Sequence, residues 1–257
     1  MEKKYLFFDI DGTLTDRSTG EIVPSAREAL TRLEENGHFV AIATGRAHYK
    51  ARKFTDANGF KNMVCCGGNG CVIDNELVEN IPLDKDGCIK IIHQAEELGY
   101  GWCVALDDTK DVYMTDDKFL RQIGKRKEPT RYIIDDMLEV EKADAIYKVY
   151  VAIPKEDEEK LTTKELVGHL RFEPEYLMFQ PDNKRGGIIK MMEHLNADIK
   201  DVVVFGDDYN DMDMFCPEWF SIAMGNACQD LKDMANYVTD TNINDGIKKA
   251  CEHFEWI

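Results

Sequence analysis

The chain has 257 residues, a formal charge of −17 and a hydrophobic fraction of 44%. This length fits one or two domains, and the apolar content is sufficient for a buried core, which excludes a disordered chain. The excess of 49 acidic over 32 basic residues argues against binding to nucleic acid or to anionic membranes, because no overall positive charge would neutralise phosphates.

The N-terminal part of the sequence predicts a strand, a helix and a second strand. Lys4–Phe8 is a short apolar run, and the turn-forming sequence Asp9-Ile10-Asp11-Gly12-Thr13 follows it. Pro24–Asn36 has proline at its start, apolar residues at helical spacing and Gly37 after its end. Phe39–Ala43 is a second apolar run. Strand, helix and strand with short connections favour a parallel sheet.

The middle of the sequence has a different pattern, in which short strands are not separated by regular helices. The predicted elements are helix Lys85–Leu98, strands Gly101–Leu106, Val112–Thr115 and Ala145–Ile153, helix Glu156–Leu170 and strand Leu177–Phe179. The pattern is typical of a separate α+β domain.

The C-terminal third returns to alternating helices and strands. The predicted elements are helix Lys184–Leu195, strand Asp201–Phe205, loop Gly206–Asp208, helix Tyr209–Phe215, strand Phe220–Ala223, and helices Ala227–Met234 and Asn244–His253. We therefore expect an α/β fold with a Rossmann-like parallel-sheet core formed by residues 1–81 and 182–257, and a second, α+β domain inserted at 82–181, which the resemblance described below identifies as a cap domain.

Acidic residues follow two of the predicted core strands. Asp9 and Asp11 follow the first strand, and Asp207 and Asp211 follow a strand near the C-terminus. Ligands of doubly wound sheets bind outside the carboxyl ends of the strands, so we expect these acids to share one pocket. Carboxylate oxygens suit a hard divalent cation, and Mg²⁺, completed by water and substrate phosphate, is the expected metal.

Four motifs in the order of this chain resemble the haloacid dehalogenase superfamily of phosphotransferases. They are Asp9–Leu14 (DIDGTL), Ala43–Arg46 (ATGR), Lys184 and Gly206–Asp211 (GDDYND). Within the superfamily, the chain resembles the Cof-type branch, whose large type IIB cap lies between the second and third motifs. The resemblance implies a phosphatase whose cap closes over the core, excludes water and sets specificity.

The resemblance also implies a role for each motif residue. Asp9 would be the nucleophile that forms an aspartyl phosphate, and Asp11 the general acid and base. Lys184 would neutralise charge beside Asp9, with the neighbouring Arg185 as the alternative cation. The residues implied in binding are Gly12, Thr44, Gly45, Arg46 and Asn210 for the phosphoryl group, and Asp9, the Asp11 backbone carbonyl, Asp207 and Asp211 for Mg²⁺. Asp208 lies outside the matched positions.

Two features allow more than one interpretation. The loop Gly67-Gly68-Asn69-Gly70 either lies near the cleft between core and cap, as the family implies, or is the turn of a hairpin. A basic cluster in the cap is either a solvated face or a reader of a second anionic group on the substrate. Its members are Arg121, Lys125, Arg126, Lys127 and Arg131, with Glu128 as the opposing charge.

The expected function is hydrolysis of a small phosphorylated metabolite, with sugar phosphates as the leading class. A phosphomutase of the phosphomannomutase type and a non-catalytic phospho-receiver are the alternatives. No apolar run approaches the roughly 20 residues that a spanning helix needs, and no signal peptide is recognisable, so we expect a cytoplasmic location. The eight cysteines show neither zinc-site spacing nor a disulfide framework. Neither the oligomeric state nor the particular substrate follows from the sequence.

Overall fold

The computed structural model describes residues 2–126 and 130–257. They divide into two compact units. The first unit comprises the residues up to Arg46, Lys50–Glu79 and Asn183–Ile257, and the second unit comprises Ala47–Tyr49 and Asn80–Asp182. No helix of the described residues is long and apolar enough to cross a membrane.

The elements are numbered along the chain. The strands are β1 (Tyr5–Phe8), β2 (Phe39–Ala43), β3 (Met63–Cys65), β4 (Gly70–Ile73), β5 (Glu76–Asn80), β6 (Trp102–Ala105), β7 (Asp111–Met114), β8 (Arg131–Ile134), β9 (Lys148–Val151), β10 (His169–Glu173), β11 (Tyr176–Phe179), β12 (Val202–Gly206), β13 (Phe220–Ala223) and β14 (Tyr237–Val238). The α-helices are α1 (Pro24–Glu35), α2 (His48–Asn58), α3 (Lys85–Glu97), α4 (Lys118–Ile123), α5 (Lys184–His194), α6 (Gln229–Met234) and α7 (Gly246–His253).

The sheet of the first unit has the strand order β14-β13-β12-β1-β2-β3-β4-β5 in the described part of the chain. β1 lies in the middle and pairs in parallel with β2 and β12. The parallel pairing continues to β3 on one side and through β13 to β14 on the other. β4 pairs antiparallel with β3, so the hairpin interpretation of the intervening glycine loop is confirmed.

Alternate residues of the central strands enter two separate hydrophobic clusters, one on each face of the sheet. Leu6 and Phe8 of β1 pack with the buried face of α1 and with α7, whereas Phe7 packs with α5. This alternation follows from the two-residue period of a strand, and burial on both faces explains why the strands read as continuous apolar runs. Helices therefore cover both faces of the sheet, and the predicted fold class is confirmed.

The second unit contains a sheet with the order β10-β11-β9-β6-β7-β8 among the described residues. Its neighbouring strands are antiparallel except for β7 and β8. One face of this sheet packs on α3, through side chains such as Ile91 and Ile92. The other face packs on Phe119 of α4. This is an α+β arrangement.

The predicted helix Glu156–Leu170 is wrong. The segment forms two short 3-10 helices, Lys155–Lys160 and Lys164–Leu166, before β10 begins at His169. The first of them buries none of its residues, so it offers no apolar stripe that would stabilise a longer helix. Gly168 lies where a Cβ would be 2.8 Å from the Gln180 carbonyl oxygen, and the chain then pairs as β10 with β11. Strand pairing therefore overrides the local helical composition.

Three members of the basic cluster have partners inside the second unit. Arg121 Nε lies 3.2 Å from Asp117 Oδ1, and Arg131 binds both carboxylate oxygens of Asp111. The Arg126 guanidinium lies 3.8 Å from the centroid of the Tyr150 ring. These contacts favour a structural role for the three arginines. Lys127 and Glu128 lie outside the described residues.

Candidate active site

Four parallel strands of the first unit bring polar residues to one edge of the sheet. Asp9 follows β1, Thr44 follows β2, Asp207 follows β12, and Asn226 follows β13 by three residues. The carboxyl ends of parallel strands meet at one edge, which is where ligands of such sheets bind. The predicted convergence of Asp9 with Asp207 and Asp211 is thus present in the structure, since carboxylate oxygens of all three lie within 4.8 Å of one another.

A buried lysine joins two of these carboxylates. Lys184 Nζ lies 2.8 Å from Asp9 Oδ1 and 2.6 Å from Asp211 Oδ1. The exposed fraction of the side chain is 1% for Lys184 and 0% for Asp211. Arg185 instead pairs with Glu218. Lys184 is therefore the cation that contacts the carboxylates, whereas Arg185 contacts Glu218.

Lys184 is placed by the N-terminus of α5 and by the glycine loop after β3. The Asn183 side chain caps α5 by accepting from the Gly186 N–H, and the Asn183 N–H donates to the Gly67 carbonyl at 2.8 Å. A Cβ on Gly68 would lie 1.9 Å from the Asn183 carbonyl oxygen, and Gly68 has a φ of +104°. The loop glycines therefore permit the close approach of backbone that fixes the start of α5.

A 3-10 helix at Tyr209–Met214 places Asp211. Asp211 Oδ2 accepts hydrogen bonds from the backbone N–H groups of Asp207 at 2.9 Å and Asp208 at 3.1 Å. Asp208 is the N-terminal residue of this capping box, so it holds the loop in shape from a partly exposed position. Asp211 thus has one oxygen on Lys184 and the other on the backbone of the loop that carries Asp207.

The Asp207 carboxylate is 2% exposed and has three side-chain partners. Thr13 Oγ1 donates to Oδ1 at 3.0 Å, and Arg17 Nη2 donates to Oδ2 at 2.7 Å. Asn226 Nδ2 donates to the Gly12 carbonyl at 2.8 Å and lies 3.4 Å from Asp207 Oδ2. Sequence reasoning missed Arg17 and Asn226 as site residues. The position of Asn226 just beyond a parallel strand was the available signal, whereas Arg17 lies in a loop without a motif.

Asp11 has a different environment from the three buried acids. Its side chain is 64% exposed, and Arg46 Nη2 lies 2.8 Å from each of its two carboxylate oxygens. Gly12, with a φ of +101°, makes the turn between Asp11 and the buried Thr13. The Asp11 carboxylate is therefore in contact with solvent and Arg46, whereas the grouped carboxylates are those of Asp9, Asp207 and Asp211.

The remaining predicted residues lie at the same edge of the sheet or in the loop after β12. Thr44 is buried, and its Oγ1 accepts from the Arg46 N–H at 3.2 Å. Gly45 lies in the bend between them, and Asn210 is half-buried in the 3-10 helix that carries Asp211. Their contacts with a phosphoryl group stay predictions.

Burial and mutual repulsion shift the proton affinities of the clustered groups. Burial, followed by repulsion from Asp211, raises the pKa of Asp9 to about 7 despite the attraction of Lys184. Burial and Asp211 also raise the pKa of Asp207 to about 6, although Arg17 and Thr13 act in the opposite direction. Burial alone would lower the pKa of Lys184, but Asp211 and Asp9 together hold it above its ordinary value. The cluster therefore has a deficit of positive charge.

The donor set fits a hard divalent cation. Asp9, Asp207 and Asp211 offer carboxylate oxygens and no nitrogen or sulfur ligand. Such ligands suit Mg²⁺, Ca²⁺ or Mn²⁺ rather than Zn²⁺ or copper. An additional cation would also offset the charge deficit that raises the two pKa values.

Comparisons with known proteins agree with this geometry. The sequence profile of the haloacid dehalogenase-like hydrolases matches residues 6–251. YkrA of Bacillus subtilis, named for an assumed phosphatase activity, is 30% identical over 253 residues, which cover 97% of each chain. The pyridoxal phosphate phosphatase YbhA of Escherichia coli is 28% identical over 269 residues, covering 96% of this chain and 97% of its own.

Solved structures point to the same family. A subclass IIB sugar phosphatase of the haloacid dehalogenase superfamily superposes with a TM-score of 0.77 at 26% identity, covering 99% of this chain and all of its own. The predicted Cof-type, type IIB assignment and the predicted class of enzyme, a phosphoric monoester hydrolase, are confirmed. The chain belongs to the haloacid dehalogenase-like hydrolases.

Proposed function

We propose that this phosphatase is magnesium-dependent and acts on small phosphorylated metabolites, with sugar phosphates as the leading class. The observation that carries the proposal is the combination of three buried carboxylates, one buried lysine and one exposed, arginine-bound carboxylate at a single sheet edge. The three buried carboxylates and the lysine suit metal binding and a nucleophile. The exposed carboxylate suits proton transfer to and from substrate and water.

In the first step, an Asp9 carboxylate oxygen attacks phosphorus and the bond to the leaving oxygen breaks. Asp11 gives that oxygen a proton, and the product alcohol departs. Arg46 then faces a newly formed Asp11 carboxylate, which its two 2.8 Å contacts stabilise and orient. Thr44, Gly45, Arg46 and Asn210 would bind the phosphoryl oxygens.

In the second step, Asp11 takes a proton from water as the water oxygen attacks phosphorus of the aspartyl phosphate. The bond between phosphorus and Asp9 breaks, which releases phosphate and regenerates the Asp9 carboxylate. Lys184 remains bound to Asp9 Oδ1 and Asp211 Oδ1, so it limits the charge that accumulates on Asp9 in both steps.

Asp9, the Asp11 backbone carbonyl, Asp207 and Asp211 would hold Mg²⁺. When bound, the metal would supply charge neutralisation for the phosphoryl oxygens.

The two compact units begin and end near residues 80 and 182. We propose that they are the core domain (1–81 and 182–257) and the cap domain (82–181).

A phosphatase screen tests the proposal. The purified chain is assayed against a panel of sugar phosphates, pyridoxal phosphate and p-nitrophenyl phosphate, with Mg²⁺ and with a chelator in its place. We expect multiple turnovers with Mg²⁺, loss of activity with the chelator, and the highest kcat/KM on a sugar phosphate. Full activity in the presence of the chelator would contradict the proposed metal dependence. A clear preference for a non-sugar ester would contradict the proposed substrate class.

The same screen separates the alternatives. A phosphomutase needs a bisphosphate activator, so release of inorganic phosphate from a monophosphate without one favours the phosphatase. A phospho-receiver would give at most one equivalent of phosphate per chain. The family membership and the phosphatase relatives favour hydrolysis over both.

A further inference from the structure

The loop between β1 and α1 places an exposed arginine on a buried carboxylate. Arg17 Nη2 lies 2.7 Å from Asp207 Oδ2 and 2.9 Å from Asp208 Oδ2. The side chain of Arg17 is 58% exposed, whereas that of Asp207 is 2% exposed. A cation whose long side chain lies mostly in solvent can leave its partner at a small cost in desolvation, unlike a cation that is itself buried.

The backbone leaves space for this contact. A Cβ on Gly12 would lie 2.3 Å from Asp207 Oδ2 and 2.5 Å from Arg17 Nε. Gly12 therefore has a second role besides its turn. Because it has no side chain, the Arg17 guanidinium can approach Oδ2 of Asp207. The loop is also tied to this region by Asn226, which donates to the Gly12 carbonyl at 2.8 Å.

We propose that Arg17 competes with the divalent cation for Asp207 and so sets the metal affinity of the site. The inference rests on the proposed function, because it concerns the proposed metal ligand Asp207. Metal binding would require the guanidinium to leave Oδ2 of Asp207. Asp208, which is 42% exposed and already bonded to the same nitrogen, would retain Arg17 at the rim of the site.

The charges of the cluster favour such an exchange. Lys184 and Arg17 together offset two of the three clustered carboxylates, those of Asp9, Asp207 and Asp211. A divalent cation in the place of Arg17 would offset all three. Arg17 therefore moderates the affinity for metal without preventing binding, and its removal takes the guanidinium off Asp207 while Lys184 stays on Asp9 and Asp211.

The test is a direct measurement of metal binding, without substrate. Mn²⁺ is titrated into the full chain, and free Mn²⁺ is measured by electron paramagnetic resonance. Mg²⁺ is then titrated calorimetrically. We expect Arg17→Gln to lower the dissociation constant for both metals by about tenfold, which corresponds to about 1.4 kcal/mol. An unchanged or higher dissociation constant would overturn the proposal.

Arg52→Gln is the matched control. The Arg52 side chain is 57% exposed and has its own carboxylate partner, Asp56, at 3.6 Å. It carries the same charge as Arg17, and its carboxylate partner among the described residues is Asp56 rather than a member of the cluster. The control should leave the dissociation constant within twofold of the unsubstituted chain. An equal gain in both variants would mean that net charge alone acts, and would also overturn the proposal.

Asp208→Asn tests the retaining partner. We expect this variant to bind metal more weakly than the unsubstituted chain, because Arg17 is left with Asp207 alone. In an Arg17→Gln background, the same substitution should have a smaller effect. Equal effects in both backgrounds would contradict competition through Arg17. Thermal unfolding of each variant verifies the fold, since Asp208 also caps a 3-10 helix.

Asp207→Asn distinguishes failure of this inference from failure of the proposed metal site. If Asp207→Asn binds Mn²⁺ as well as the unsubstituted chain, the metal lies elsewhere and both proposals are wrong. If Asp207→Asn abolishes binding but Arg17→Gln changes nothing, only the role of Arg17 is wrong.

Discussion

The negative charge of the site's carboxylates is offset by two kinds of cation. We call the side next to the start of α5 the inner side and the side next to solvent the outer side. On the inner side, Lys184 is 1% exposed, is fixed at the start of α5 and bonds two carboxylates. On the outer side, the cations are arginines with larger exposed fractions, 58% for Arg17 and 25% for Arg46. A buried cation is costly to remove, whereas an exposed one can exchange with solvent, substrate or metal. We therefore expect Lys184 to stay bound to the nucleophile Asp9 throughout turnover. We expect the arginines on the outer side to exchange their carboxylate partners.

The largest expected effect comes from removal of the inner carboxylate that attacks phosphorus. Asp9→Asn should lower kcat by at least about four orders of magnitude, the scale that follows removal of a covalent nucleophile. Steady-state kinetics on p-nitrophenyl phosphate measure the effect. Asp16→Asn is the control, because this half-buried acid lies in the same loop and its carboxylate accepts hydrogen bonds from the nearby Ser18 N–H and hydroxyl. Comparable loss in both variants would mean that loop structure, not nucleophilicity, is affected.

The two cations of the cluster should differ sharply in their effect on stability. Lys184→Met leaves Asp9 and Asp211 buried without their cation, and should lower the free energy of unfolding by about 3–5 kcal/mol. Arg17→Gln leaves Asp207 bonded to Thr13, and should cost at most about 1–2 kcal/mol. Urea denaturation of both variants gives the two values. Similar losses for the two substitutions would contradict the claim that the buried Lys184 contributes more to stability than the exposed Arg17.

The exposed pair of Asp11 and Arg46 should matter most when the leaving group is poor. Arg46→Lys keeps a positive charge but loses the planar guanidinium whose Nη2 contacts both Asp11 oxygens, and we expect kcat/KM on a sugar phosphate to fall about tenfold. The loss on p-nitrophenyl phosphate should be smaller, because its leaving group departs without a proton. The ratio of the two effects is the measurement. Equal losses on both substrates would contradict the role of Arg46 in orienting Asp11 and leave only its proposed contact with the phosphoryl oxygens.

The last prediction concerns the pH dependence of stability. The pKa of Asp9 is about 7 in the folded chain, against an ordinary value of 3.8. Between these values the folded chain retains a proton that the unfolded chain releases, so stability falls as pH rises from about 4 to about 7. Asp9→Asn should reduce this fall when unfolding is measured without added divalent cation. An identical slope in the variant would contradict the raised pKa.

Much of the site could be predicted because it lies at the ends of buried parallel strands. The apolar runs at β1 and β12 are unambiguous, and the acids that follow them meet at one edge, as Asp9, Asp207 and Asp211 do. Lys184 was predicted from its position in the family pattern, since a lysine at the start of a helix carries no signal of its own. The structure then provides the two carboxylates that explain its burial.

The errors occurred where contacts distant in the chain decide the outcome. Residues 156–170 have the composition of a charged helix, but they form two short 3-10 helices and the start of β10, which pairs with β11 after Gly168. Arg17 was missed because an arginine in a polar loop is ordinary until Asp207, 190 residues away in sequence, is its neighbour. Local patterns predict elements and strand ends, whereas partners between loops depend on the assembled sheet.

Formation of a phosphorylated Asp9 tests the proposed chemistry most directly. In Asp11→Asn, p-nitrophenyl phosphate can still phosphorylate Asp9, but the base for the second step is absent, so the intermediate should accumulate. The reaction is quenched in acid, the chain is digested, and the peptide that contains Asp9 is examined by mass spectrometry. We expect this peptide to gain the mass of one phosphoryl group, and the gain to disappear in the double variant with Asp9→Asn. Release of p-nitrophenol without any phosphorylated Asp9 peptide would contradict the mechanism.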